Sequence, residues 1–70
     1  MEWKDIGYNF HRLDLPGGFQ IIVGWDRDGY KVTFEQVSLK SRFPHLTEAK
    51  SAGVNLARHQ LTKAIQFLGE

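Results

Sequence analysis

The spacing of apolar residues changes at Phe43-Pro44, and this change restricts the fold more than any other feature of the chain. Before it, apolar residues recur every second position. Phe19, Ile21, Val23 and Trp25 share one parity, and Tyr30, Val32 and Phe34 share another. That is the period of a strand with one face buried. After it, no proline interrupts the run from Thr47 to Leu68, and Gly69 follows. Thr47 is suited to cap a helix and Glu48 to complement the positive end of its dipole. The spacing predicts a helix of about twenty residues, roughly 30 Å long.

Asp26-Arg27-Asp28-Gly29 lies between the two alternating segments and has hairpin-loop chemistry, so "GWDRDGY" at 24–30 reads as a corner. Read as a calcium loop starting at Asp26, it has Val37 at the position that requires a glutamate. Pro16-Gly17-Gly18 is a second turn. Upstream, Ile6, Tyr8 and Phe10 alternate before the parity passes to His11, Leu13 and Leu15. A β-bulge produces such a shift, which places a bend near His11 or Arg12. The predicted fold class is α+β: a three-stranded antiparallel β-meander, with strands near 6–14, 19–25 and 30–37, packed against one long C-terminal α-helix in the order β-β-β-α. Residues 37–45 are compatible with a short fourth strand or an irregular connection. Phe19, Trp25, Tyr30 and Phe34 are assigned to the buried face.

Residues 1–70 form a single domain in this reading, and a chain of 70 residues buries only about 60% of its unfolded surface. Cysteine is absent, which removes disulfides and most zinc sites as staples and leaves association with another chain. It also fits a reducing cytoplasm, the expected location, since the N-terminus shows no apolar leader and the longest apolar run is Ile21-Ile22-Val23. The size suits an accessory protein of a bacterium or phage.

No catalytic, cofactor-binding or metal-binding residues are assigned, and no small-molecule substrate is evident. His11, His45 and His59 are far apart and none forms an i, i+4 ligand pair. Asp26 and Asp28 on a hairpin tip would be solvated, a poor setting for acid–base work.

Around the predicted helix, Ala49, Gly53, Leu56, Ala57, Gln60, Ala64 and Phe67 share one sector, with Val54, Leu61, Ile65 and Leu68 beside it. The small-residue sector suits close packing on a sheet. The aliphatic edge exceeds what one sheet covers and marks a contact surface. The leading expectation is therefore a non-enzymatic interaction module, acting as a homodimer or with a larger protein partner through Val54, Leu61, Ile65 and Leu68, with Trp3 contributing. The alternative is a nucleic-acid-binding accessory protein using Lys31, Lys40, Arg42 and Lys50 near the helix N-terminus. Net charge is only +1, modest for that role.

The β-β-β-α order is similar in outline to integrase arm-binding DNA domains, to the last four elements of double-stranded RNA-binding domains and to HicB-type antitoxins. The related likeness to AP2-type DNA domains, which also read the groove with the sheet, implies an Arg-rich exposed sheet face. Here the outward positions include Gln20, Ile22, Thr33 and Glu35, which are neutral, apolar or acidic.

Overall fold

The computed structural model describes residues 2–68, with side chains to residue 66. The chain is α+β. Five antiparallel strands, β1 (Trp3–Gly7), β2 (Phe10–Asp14), β3 (Gln20–Asp26), β4 (Gly29–Phe34) and β5 (Val37–Ser38), lie in sequence order in one sheet, and α1 (Leu46–Leu68) crosses one face of it.

The sheet has five strands where three were expected; the short β5 supplies one of the two extra strands, and the first expected strand supplies the other. It splits into β1 and β2 because the chain reverses at Tyr8 and Asn9, both in the left-handed region at φ 53° and 63°. Two consecutive residues with positive φ make the turn whose twist suits a two-residue hairpin. Tyrosine seldom adopts that conformation, so the reversal is easily missed in the sequence. The parity change therefore reflects a hairpin rather than a bulge at His11 or Arg12. The register does slip, but at Asp5–Gly7 on the neighbouring strand. There the Gly7 N–H donates to Asp5 Oδ1 at 2.9 Å.

The "GWDRDGY" stretch is the β3–β4 corner. Asp26 pairs with Gly29 and Trp25 with Tyr30. Gly29 is required here twice over: its φ is 130°, and a Cβ would stand 2.9 Å from the carbonyl oxygen of Phe43. That carbonyl accepts the N–H of Tyr30 at 2.8 Å. Residues 37–45 thus continue along the outer edge of β4: β5 pairs with Thr33 and Phe34, Leu39 donates to Val32, and Phe43 bridges Tyr30. The helix begins at Leu46, with the N–H of Ala49 closing its first turn on the carbonyl of His45. It starts slightly before the expected cap, Thr47.

The core lies between α1 and β2–β4. Among the described side chains of the helix, Ala49, Gly53 and Ala57 are the buried ones. They meet Leu13, Ile21, Val23, Val32 and Phe34, of which Ile21, Val23 and Val32 are fully enclosed. Of the four aromatics assigned to the buried face, only Phe34 is buried. Trp25 is 47% exposed and Phe19 37%, while Tyr30 is half-buried. Their parity is that of the core, but they stand at the sheet ends, where a single helix gives less cover. They pack on each other instead: Trp25 meets Tyr30 edge-on with centroids 5.0 Å apart, and Phe19 meets Phe34 at 5.9 Å.

Among the described residues no helix covers the second sheet face. On it the Phe10 ring lies over Gly24, filling the space a side chain would take. Lys4 and Arg12 both pair with Asp14, at 3.5 and 3.0 Å. Among the described residues no helix is long and apolar enough to cross a membrane.

Candidate interaction surface

Element lengths create the surface. At 1.5 Å per residue the 23-residue helix is about 34 Å long. The longest strand, β3, has seven residues and reaches about 23 Å. The helix begins beside the β3–β4 corner and passes Val23, Ile21 and Leu13 in turn, so its excess of roughly 11 Å, about two turns, projects past the far end of the sheet. The molecule is correspondingly drawn out, at 42 × 22 × 18 Å.

The predicted aliphatic edge runs from beside the core onto this overhang. Val54 and Leu61 are half-buried, packed against the cluster of Leu13, Ile21, Phe34 and Ala57. Ile65, one turn further, is 70% exposed. The side chain of Leu68 lies outside the described residues. Between this flank and the end of β2 runs an open groove of about 300 Å³, lined by Leu13, Leu15, Val54, Leu61 and Ile65, with Arg58 on its helix side. The β1–β2 ladder starts at Trp3↔Leu13, so Leu15 stands past it and the groove remains open there. Sequence reasoning missed Leu13, Leu15 and Arg58. For Arg58 a signal was present: Val54, Arg58, Leu61, Ile65 and Leu68 are spaced four, three, four and three, the seam of a heptad repeat.

Trp3 is not on this overhang. It is half-buried and packs against both halves of the core, with Lys50 Nζ 5.5 Å above its ring centroid. Its large ring is accounted for by the sheet–helix contact.

Of the four cations of the alternative reading, Arg42 and Lys50 are engaged within the chain and Lys31 lies on the uncovered sheet face. Lys50 sits over Trp3. Arg42 pairs with Asp26 at 3.3 Å and donates to the carbonyls of Leu39 and Lys40. Lys31 pairs with Gly24, so its side chain belongs to the uncovered sheet face. Asp26 is held below its ordinary pKa of 3.8 chiefly by the N–H of Arg27, 2.8 Å from Oδ1. Slight burial opposes this, and Arg42 and Lys31 add to it. This carboxylate thus offsets positive charge where a phosphate would need it. Among the described residues no three His, Asp or Glu side chains gather closely enough to hold a metal ion.

No protein-family model matches this chain, and no curated protein or solved structure matches it either.

Proposed function

We propose that this chain is a non-enzymatic interaction module of the cytoplasm that works by protein–protein association through the overhanging flank of α1. The observation that carries the reading is the exposure of Ile65 at the rim of an apolar groove whose walls include Val54 and Leu61. Single exposed apolar residues are ordinary on protein surfaces, whereas an exposed aliphatic continuous with a groove of its own kind is a contact feature. Phosphate recognition through Lys31, Lys40, Arg42 and Lys50 draws less from the geometry, because Arg42 and Lys50 already have partners within the chain.

A photo-crosslinking residue introduced at position 65 tests the reading. Position 63, about 200° further round the helix, is the control. The expected result is one discrete adduct from position 65 and none from position 63. Absence of an adduct at 65, or equal labelling at both positions, overturns the proposal.

A further inference from the structure

Building on that reading, we infer that the occupant of the flank is a second copy of this chain, docked as a two-fold antiparallel pair through the C-terminal half of α1. Surface area is the first argument. The chain exposes 5263 Å², whereas a monomeric protein of 8.1 kDa is expected to expose about 4,500 Å². The excess is roughly 800 Å², the area that one partner buries in an interface of standard size. The radius of gyration is 12.5 Å against about 11 Å for a compact chain of this length. The helix projecting past its sheet supplies the extra length and part of the extra surface, to which the uncovered sheet face also contributes.

Shape is the second argument. A two-fold interface requires one patch to complement itself. Here the projecting side chain, Ile65, and the receiving groove, walled by Leu15 and Leu61, belong to the same flank. The four-three spacing from Val54 to Leu68 is a seam of two heptads, too short to pair helices unaided. Leu13 and Leu15 widen it with apolar surface from the sheet.

Polarity selects the antiparallel arrangement. The last turn of α1 carries no basic residue, so the negative end of its dipole is not offset from within the helix. With the axis near Leu61 and Ile65, an antiparallel pair directs Arg58 of each copy toward the last turns of the other. A parallel pair would set Arg58 against Arg58 and place the two negative helix ends together.

Sedimentation equilibrium of the full chain over roughly 1 µM to 1 mM covers the relevant affinities. The expected result is a reversible species of about twice 8.1 kDa, with Ile65→Lys and Arg58→Glu each weakening it at least tenfold. Both residues are exposed, so unchanged circular dichroism of the variants at low concentration shows that the fold persists. A single 8.1 kDa species throughout, or a dimer indifferent to Ile65→Lys, overturns the inference. If the chain is monomeric and the crosslinker at position 65 takes up a different protein, the second copy is excluded while the association reading stands. If it is monomeric and no adduct forms, both are removed.

Discussion

Replacing Gly53 with alanine sets two known effects against each other, and the packing decides the sign. In an exposed helix the substitution stabilises by about 1 kcal/mol, because glycine loses more backbone freedom on folding. At position 53 the new Cβ would stand 2.7 Å from Ile21 Cγ2 and 3.3 Å from Val32 Cγ1. Comfortable carbon–carbon separation is about 3.5–4.0 Å, so the shortfall at Ile21 is roughly 1 Å. Ile21 cannot give way cheaply: it is fully buried, and its Cγ2 is attached to the Cβ of a stiff β-branched side chain. The helix must lift instead, loosening Ala49 and Ala57 on the same face. Overpacking of this kind costs about 1–3 kcal/mol, leaving a net loss of about 1 kcal/mol. A chain of this size has only about 3–5 kcal/mol of stability, and a urea slope near 1 kcal/mol per molar would lower the midpoint by about 1 M. The assay is urea unfolding by circular dichroism at one fixed low concentration, since self-association would contribute to stability. Asn55→Ala, an exposed site on the same helix, serves as control and should gain about 0.5 kcal/mol. Ile21→Leu removes the offending methyl, so Gly53→Ala should be less harmful in its presence, with a coupling of about 1 kcal/mol. A Gly53→Ala protein more stable than the parent, with no coupling to Ile21, would refute the reasoning that glycine is there to let the helix axis approach the sheet.

Asp26 predicts a pH dependence. Its folded pKa is depressed, so its contribution is complete above the unfolded value and is lost as pH falls through the folded value. The parent should therefore melt above Asp26→Asn at pH 7, with the gap closing as pH drops below 3.8; a gap constant from pH 7 to acid would contradict this. Phe10→Ala should cost about 1–2 kcal/mol in urea unfolding, although Phe10 is 41% exposed, because its ring covers the bare backbone at Gly24; no loss would show that the ring does not pack there. The two tryptophans should report different environments. Trp3→Phe leaves the more exposed Trp25, with red-shifted emission readily quenched by acrylamide, and Trp25→Phe leaves the half-buried Trp3, with bluer and better protected emission. The reverse order would displace Trp3 from the core.

Legibility differed from element to element. β3, β4 and their corner could be read because period-two alternation and the Asp-Arg-Asp-Gly turn agree. The uninterrupted run from Thr47 to Leu68 announced a helix, and its small-residue sector did become the buried one through Ala49, Gly53 and Ala57. The β1–β2 hairpin was hidden because Tyr8 adopts a left-handed conformation that its side chain does not favour, although Asn9 beside it suits one. That conformation is held by contacts outside the turn, among them the Trp25 N–H, which donates to the carbonyl of Asn9 at 3.1 Å. Trp25 and Phe19 were assigned to the core because parity specifies the face of a sheet. It carries no information about how far along that face a covering helix reaches.

The candidate surface divides in the same way. Local order along the chain was enough to place Val54, Leu61, Ile65 and Leu68 on one edge of a helix, because helical periodicity depends only on neighbours a few residues apart. Whether that edge would be covered depended on where a helix of about 34 Å comes to rest on a shorter sheet. Only tertiary packing could place Leu13 and Leu15 opposite Leu61 and leave Ile65 beyond them, since a groove formed by residues some fifty positions apart has no periodicity to reveal it.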